Sequence, residues 1–327
     1  MTVRFGVFVP QGWRMDLSEI TDAVEQYEAM TRVATEADAL PAYDSIWVFD
    51  HFHTVPKPAL ETTFESWTIT AGLARDTQRI HVGQMVTAAA YRNPALLAKM
   101  ASTVDVMSHG RLYCGVGAGW YEHEWRAYGY GWPELRDRMR AFREAVQIMV
   151  KMWTEDFPEF AGEYHSIHGP INQPKSAGTA PPSLWIGGSG EQVTLRLVAR
   201  YANACNIGGT PALIRDKLAV LRGYCEQYGR DYDTIIKSTN ITVFPLRAGE
   251  NAEQATALHR RATGTSFEEF KQLAIIGTPD QIAEQIQAKI AAGAEYVIVT
   301  LPRLAYDIEP LHVFASEVVP LVRQLAS

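Results

Sequence analysis

The stretch AYDSIWVFDH, residues 42–51, reads as a short buried strand followed at once by two polar side chains. Apolar side chains alternate between two faces over residues 45–49, which is the period of a β-strand. Asp50 and His51 then arrive where the strand would end. Histidine is easily tuned to titrate near neutral pH, and a neighbouring carboxylate can fix its tautomer. The pattern indicates a catalytic pair, although a structural His–Asp pair at a loop start fits these residues about equally well.

Similar strand patterns recur along the whole chain, and each is followed by a helix pattern. The predicted strands are 3–9, 45–49, 80–86, 111–116, 183–186, 204–207, 235–244 and 296–301. The predicted helices are 16–39, 62–75, 93–107, 132–153, 191–200, 211–228, 279–292 and 309–325. Repeated βα units of this kind imply a parallel sheet. Eight of them over 327 residues most simply close into a TIM (β/α)8 barrel, rather than an open sheet with a second domain.

Two segments interrupt this alternation. Residues 155–180 are rich in Gly, Pro and His and predict an insertion with a short hairpin around Ala161 and Gly162. Residues 248–275 are mostly polar and predict a helical insertion. Since no linker-like run divides the chain, we expect one domain over residues 1–327. Both insertions would cover the mouth of the pocket, because loops on a rigid barrel carry specificity.

Composition excludes several classes of function. The chain is 47% hydrophobic and carries a formal net charge of −7, with Lys and Arg scattered. It is therefore a poor candidate for binding nucleic acid. No apolar run approaches the ~20 residues that span a bilayer, and the N-terminus enters a strand directly, so we expect no membrane association. Three distant cysteines, Cys114, Cys205 and Cys225, favour a reducing compartment, the cytoplasm being the simplest.

Glycine-rich strand ends are the next candidates for a ligand site. GVGAGW, residues 115–120, lacks the spacing of a dinucleotide fingerprint, and its glycines could serve a flat ligand or close packing equally well. IGGSGE, residues 186–191, leads from a strand into a helix, where free N–H groups favour a phosphate over a merely flexible turn. Residues 83–87 read by themselves as a plain buried strand with a glycine for packing.

Other constellations are weaker. His51 and His53 form an HxH, but no second cluster of ligands has suitable spacing, so we expect no metal site. Glu122 and Glu124 would diverge on a helix, which argues against a glycosidase pair. No nucleophile elbow is present, and the cysteines lack the histidine neighbours of a nucleophile.

Taken together, these segments resemble the bacterial luciferase-like superfamily, whose barrel binds a flavin or deazaflavin at the carboxyl ends of its strands. The most specific part is VGQMVTAAAYRNPALLAKMASTVDVMSHGRLYCGVGAGWYEHEWRAYG, residues 82–129. SIWVFDH (45–51), PPSLWIGGSGEQVTLRLVARYANACN (181–206) and GTPDQIAEQI (277–286) support it. The Asp–His pair looks most like the branch that uses coenzyme F420, a 5-deazaflavin.

The resemblance implies roles for particular positions. His51 would lie near C5 of the deazaflavin as the acid or base, and Asp50 beside it would contact the cofactor. Met85 and Val86 would form a bulge with a non-prolyl cis peptide that supports the ring. The ring and ribityl chain would be flanked by Ala118, Gly119 and His123, and the phosphate would be held by Gly187, Gly188, Ser189 and Gly190.

One departure from the family bears on the substrate. Sugar-phosphate dehydrogenases of this family carry an acidic residue directly after the fourth-strand glycines, where this chain has Trp120. This puts glucose-6-phosphate oxidation in doubt and favours a bulkier, less polar substrate. Phe52, Trp120 and Tyr121 could line its pocket, and Trp47 and Phe49 fit either that pocket or the core.

The expected reaction is hydride transfer between the deazaflavin C5 and a small organic substrate, in a direction that the sequence leaves open. An FMN-dependent monooxygenase of the same superfamily is the nearest alternative. A barrel without cofactor, acting as a binding or assembly subunit, is an alternative of another class. By analogy with the superfamily, we expect a homodimer.

Overall fold

A computed structural model describes residues 3–247 and 249–325. Its strands are β1 (Arg4–Phe8), β2 (Ser45–Val48), β3 (His81–Gln84), β4 (Thr87–Ala88), β5 (Leu112–Gly117), β6 (Glu159–Ala161), β7 (Ser166–His168), β8 (Ser183–Gly187), β9 (Ala204–Asn206), β10 (Ile236–Pro245), β11 (Ala274–Gly277) and β12 (Tyr296–Thr300). Its first seven helices are α1 (Ala23–Ala39), α2 (Ser66–Asp76), α3 (Pro94–Met107), α4 (Glu122–Ala127), α5 (Leu135–Thr154), α6 (Thr194–Tyr201) and α7 (Pro211–Tyr228). The remainder are α8 (Ala252–Ala255), α9 (Ala257–Thr263), α10 (Phe267–Leu273), α11 (Pro279–Ala291), α12 (Glu309–Val313) and α13 (Val319–Leu325).

Eight parallel strands close into a barrel. Their order is β1, β2, β3, β5, β8, β9, β10 and β12, and β12 pairs with β1 to complete the ring. Strand β1 is in register with β2 at Gly6 and Ser45, and with β12 at Gly6 and Ile298. The predicted TIM barrel is confirmed. The carboxyl ends of all eight strands therefore meet at one face, where a barrel carries its chemistry.

Large aromatic side chains fill the barrel interior. Trp47 is fully buried and packs edge-on against Trp185, with ring centroids 4.9 Å apart. Glycines in adjacent strands make room for it: a Cβ added at Gly83 would lie 2.7 Å from the Trp47 ring. Trp47 is thus a core residue and does not line a substrate pocket, while Gly83 serves packing.

The two insertions take different forms. Within residues 155–180, strands β6 and β7 pair antiparallel, which confirms the hairpin predicted around Ala161 and Gly162. The later insertion contains helices α8 to α10 and ends in β11, which extends the sheet beyond β10. The polar, helix-like pattern of this insertion does not predict β11, because β11 forms only by pairing with β10, which lies outside the insertion. One domain over residues 1–327 stays a prediction.

Four helices begin at least three residues later than their sequence patterns predict, namely α1, α2, α5 and α6. Helix α1 begins at Ala23, since Asp22 caps it by accepting from the N–H groups of Val24 and Glu25. Helix α6 begins at Thr194, so residues 191–193 remain in the turn after β8. The shifts of α1 and α6 lengthen loops at the carboxyl face of the barrel. Across residues 3–247 and 249–325, no helix is both long and apolar enough to cross a bilayer.

Candidate active site

A bulge interrupts the third strand of the barrel at its carboxyl end. Gly83 pairs with Tyr113 and Thr87 pairs with Val116, so one additional residue is accommodated between β3 and β4. The Met85–Val86 peptide within this bulge is cis. This confirms the non-prolyl cis peptide that the family resemblance implied, whereas the stretch by itself indicated a plain strand.

Three glycines make room for this bulge. A Cβ added at Gly115 would collide with the carbonyl oxygen of Gln84. Added Cβ atoms at Gly117 and Gly187 would lie 2.5 and 2.7 Å from the methyl groups of Val86. The glycines at the ends of β5 and β8 therefore allow the Val86 side chain to sit between the strands. The glycines of β5, the fourth strand of the barrel, therefore serve close packing. This is one of the two interpretations that the sequence left open.

His51 is held by a buried carboxylate that the sequence did not single out for this role. Its Nδ1 lies 2.9 Å from Oε2 of Glu124, and both side chains are buried. Glu124 also accepts hydrogen bonds from the N–H groups of Phe52 and His53, at 2.8 and 3.3 Å, and from the Tyr91 hydroxyl at 3.1 Å. Burial raises the pKa of Glu124, but His51 and the N–H groups of Phe52 and His53 outweigh burial and leave that pKa below its ordinary value.

Aromatic rings enclose His51 on its other sides. Trp13 stacks on the imidazole with centroids 4.8 Å apart and planes 18° apart. Trp120 and Tyr121 approach it edge-on, with centroids 5.7 and 6.1 Å away. The His51 side chain is only 8% exposed. With Nδ1 directed to Glu124, its Nε2 is the nitrogen left for other partners.

Asp50 has partners other than His51. Its carboxylate accepts two hydrogen bonds from Arg92, at 2.6 and 3.0 Å, and one from the N–H of Ala88 at 2.9 Å. Arg92 also binds Glu65. Burial raises the pKa of Asp50, and the Arg92 guanidinium opposes that rise. The predicted pairing of His51 with its adjacent carboxylate is therefore wrong, because Asp50 points towards Arg92 and Glu124 takes its place.

A cavity of about 1080 Å³ opens at the carboxyl face of the barrel. This volume is ample for a tricyclic ring with a side chain. Its lining combines the bulge after β3, the turn after β5, the turn after β8 and one face of helix α5. The lining residues are Met85, Val86, 117–120, Leu135, Arg136, Met139, Arg140, Arg143, 187–194, Arg196, Asn206 and Asn240.

The turn after β8 forms one wall of this cavity. Gly188 has φ +117°, a conformation that side chains with Cβ rarely adopt, and its N–H donates to the Asn206 carbonyl at 3.0 Å. A Cβ added at Gly190 would lie 3.1 Å from Oγ1 of Thr194, the first residue of α6. The backbone of this turn can therefore approach a ligand closely at the positive end of a helix.

The structure gathers most of the predicted site residues around this cavity, but not all of them. Its lining includes Met85, Val86, Ala118, Gly119, Trp120, Gly187, Gly188, Ser189 and Gly190. His51 contacts Trp120 but is not itself part of the cavity lining.

Phe52, Tyr121 and His123 lie away from the cavity lining. Phe52 packs on Tyr91 and Tyr128, with centroids 4.6 and 4.3 Å away. Nδ1 of His123 lies 3.2 Å from Nε2 of His53. The Tyr121 hydroxyl donates to the carbonyl of Pro56 at 3.1 Å. Their predicted roles at the cofactor and substrate stay predictions.

Sequence reasoning missed several groups at this site. The sequence pattern presents Glu124 only as half of a carboxylate pair, and it does not single out Trp13 or the arginines of α5. Arg136, Arg140 and Arg143 recur at helical spacing, which could have indicated a basic face on α5. The described residues contain no group of three or more His, Cys, Asp or Glu side chains placed to hold a metal.

Comparison with known proteins gives a family match over most of the chain. The family model described as luciferase-like monooxygenase matches residues 3–270. An F420-dependent glucose-6-phosphate dehydrogenase from Nocardia farcinica is 31% identical over 317 residues, covering 86% of this chain and 90% of that protein. An FMNH2-dependent dimethylsulfone monooxygenase from Pseudomonas putida is 26% identical over 292 residues, covering 80% and 79%.

Solved structures agree with the barrel fold. An F420-dependent secondary alcohol dehydrogenase in complex with an F420–acetone adduct has a TM-score of 0.79 at 19% identity, covering 98% of this chain and 99% of that one. EDTA monooxygenase from Chelativorans sp. BNC1 has a TM-score of 0.81 at 15% identity, covering 100% and 95%. At these identities the likeness concerns the fold alone.

Proposed function

Because this chain belongs to the luciferase-like monooxygenase family, we propose that it is an oxidoreductase that uses coenzyme F420. It would transfer a hydride between the deazaflavin C5 and a small organic substrate. The cavity is the observation that carries this proposal: its lining includes the Met85–Val86 bulge and residues 187–190, and Trp120 links it to His51. Several F420-dependent relatives, at 26–31% identity over 86% of the chain, favour the deazaflavin.

The cavity residues fit such a cofactor. Glycines at 117 and 187 bring the backbone close to the Val86 side chain and leave no projecting side chain on this part of the wall. Residues 187–190 would hold the phosphate with backbone N–H groups ahead of helix α6. Ala118 and Gly119 would flank the ring, and Met85 with Val86 would support it. When bound, F420 supplies a carbon centre that accepts or releases a hydride.

The chain's own residues would manage the proton that accompanies hydride transfer. Glu124 has a lowered pKa and can only accept a hydrogen bond when ionised, so it keeps the proton on Nδ1 of His51. Nε2 of His51 is then free to take a proton from the substrate or to return one. Asp50, bound by Arg92, would hold the start of this loop in place. Trp13 and Trp120 would keep water from the imidazole.

Trp120 supports a bulkier and less polar substrate than a sugar phosphate. It is 62% exposed, lines the cavity and stands next to His51. An indole at this position offers apolar contact area and no negative charge. We therefore propose that Trp120, with Phe52 and Tyr121 farther out, favours an apolar substrate over glucose 6-phosphate.

Fluorescence titration of the apoprotein with F420 and with FMN tests this function. We expect micromolar binding of F420 and no saturable binding of FMN. Saturable binding of FMN alone would instead support the second candidate, an FMN-dependent monooxygenase. The dimethylsulfone monooxygenase relative favours that candidate. Binding of neither compound would overturn both and favour a barrel without cofactor. The homodimer and the cytoplasmic location stay predictions.

A further inference from the structure

Helices α5 and α6 present four arginines to the cavity. Arg136, Arg140 and Arg143 lie at positions i, i+4 and i+7 of α5, so they share one face of the helix. Arg196 reaches the same cavity from α6. In a chain whose net charge is −7, this concentration of positive charge in one cavity is a local feature that its overall composition does not indicate.

Two of these arginine side chains have no protein partner in the described part of the chain. Within residues 3–247 and 249–325, the side chains of Arg136 and Arg143 form no hydrogen bond and no ion pair. Arg140 has a distant ion pair with Glu163 at 3.5 Å, and the Arg196 guanidinium stacks over the Tyr224 ring at 5.0 Å. The guanidinium groups of Arg136 and Arg143 are therefore available to an anionic ligand.

Acidic side chains do little to neutralise this surface. Of the described residues that line the cavity, Glu191 is the one that carries a carboxylate. Its Oε1 already accepts from Nζ of Lys217 at 2.6 Å. The arginines line the same cavity as the turn at residues 187–190, which is assigned to the phosphate in the proposed function. A ligand whose phosphate lies at that turn, and which continues along the cavity as an anionic chain, would meet these arginines.

We propose that Arg136, Arg140, Arg143 and Arg196 form a binding track for a polyanionic cofactor tail. This rests on the proposed function, since F420 continues beyond its phosphate through a lactyl group into linked glutamates. FMN ends at its phosphate and has no such chain. The track would therefore select F420 over FMN by charge complementarity along the tail rather than by contacts with the ring.

Titrations with a series of deazaflavins test the track. The ligands are F420 with its glutamates, F420 without glutamates, and the deazaflavin ribityl compound without phosphate. For the wild type we expect affinity to fall in that order and the glutamate-dependent part to weaken with added salt. In the double variant Arg136→Ala/Arg143→Ala, binding of glutamate-bearing F420 should weaken about tenfold, as two partly exposed charge contacts allow.

Matched variants separate charge from folding. Arg200→Ala/Arg215→Ala removes two exposed arginines outside the cavity and should bind all three ligands as the wild type does. Arg136→Lys/Arg143→Lys keeps the charge and should restore most of the affinity. Equal weakening for all three ligands, or none for glutamate-bearing F420, would overturn the track alone. If the wild type binds none of the deazaflavins, the proposed function fails, and the track fails with it.

Discussion

At the scale of single residues, Glu124 determines how His51 can act. Its two oxygens receive donors from one imidazole, two backbone N–H groups and one tyrosine hydroxyl. An ionised carboxylate has the lone pairs to accept all four, whereas a neutral amide has a single acceptor oxygen and two N–H groups of its own. The charge and the acceptor capacity of Glu124 are therefore both needed to orient the imidazole.

Replacement Glu124→Gln should disturb the His51 tautomer and lower stability. At least one buried donor would lose its acceptor, at a cost of about 1–3 kcal/mol in the free energy of unfolding. Nitrogen NMR of the imidazoles should report a proton on Nδ1 of His51 in the wild type and a loss of that preference in the variant. The signal that disappears in His51→Ala is the one that belongs to His51.

Glu144→Gln is the matched control for this change. Glu144 is also buried and accepts the N–H groups of residues 163–165, which lower its pKa against the effect of burial. Its replacement should cost similar stability and leave the His51 signal unchanged. An unchanged His51 signal in Glu124→Gln would contradict the positioning role.

His259 should make the protein sensitive to acid. Burial, followed by the nearby charges of Arg14 and Arg303, lowers the pKa of His259 from 6.5 to about 4. The unfolded chain then binds more protons than the folded one between those values, so this contribution to stability is lost as pH falls from about 6.5 to about 4. Urea unfolding gives the difference in unfolding free energy between pH 7 and pH 4.5. This difference should be smaller in His259→Gln than in the wild type, by roughly 1–2 kcal/mol.

Exposed His168 provides the comparison for that measurement. His168→Gln should leave the difference in unfolding free energy between pH 7 and pH 4.5 as it is in the wild type. Equal effects of the two replacements would mean that burial of His259 does not cause the acid sensitivity.

At the scale of elements, the bulge between β3 and β4 depends on glycines in other strands. A Cβ added at Gly115 would contact the Gln84 backbone, and a Cβ added at Gly117 or Gly187 would contact Val86. Backbone atoms cannot move aside as a flexible side chain can. The bulge and the two glycine-rich strand ends therefore form one interlocked feature, and this feature shapes part of the cavity.

Gly115→Ala should break that interlock. Its methyl group would collide with the Gln84 carbonyl, so we expect a loss of about 3 kcal/mol in the free energy of unfolding. Gly223 on α7 has nothing within 4 Å of an added Cβ, so Gly223→Ala should stabilise by about 0.5–1 kcal/mol. Chemical denaturation measures both, and a neutral Gly115→Ala would show that the bulge can relax.

At the scale of the whole molecule, ligand binding should stabilise the folded barrel. The cavity lining comes from the bulge after β3, from strands β5, β8, β9 and β10, and from helices α5 and α6, so the cavity exists only when the ring is closed. A ligand present at a hundred times its dissociation constant adds about 2.7 kcal/mol. Thermal unfolding with saturating F420 should therefore raise Tm by about 5 °C, while equal concentrations of FMN should leave it unchanged. A larger shift with FMN would contradict the choice of F420.

The sequence by itself determined the order of strands and helices, the barrel, the hairpin insertion and the glycine-rich turns. These features follow from local periodicity and turn chemistry, which are properties of neighbouring residues. It also placed Asp50 and His51 at a strand end. From family resemblance, it indicated the cis peptide at residues 85–86 as well.

Only the tertiary structure decided which side chains meet. Glu124 lies 73 positions from His51 along the chain, so no local pattern pairs them, and the adjacent Asp50 was the wrong expectation. The same holds for Trp13 against His51, and for the arginines of α5, which line one cavity with the turn after β8. Such contacts arise when the closed ring brings the ends of distant strands to one face, because the contacts depend on how elements pack and not on the periodicity within any one of them.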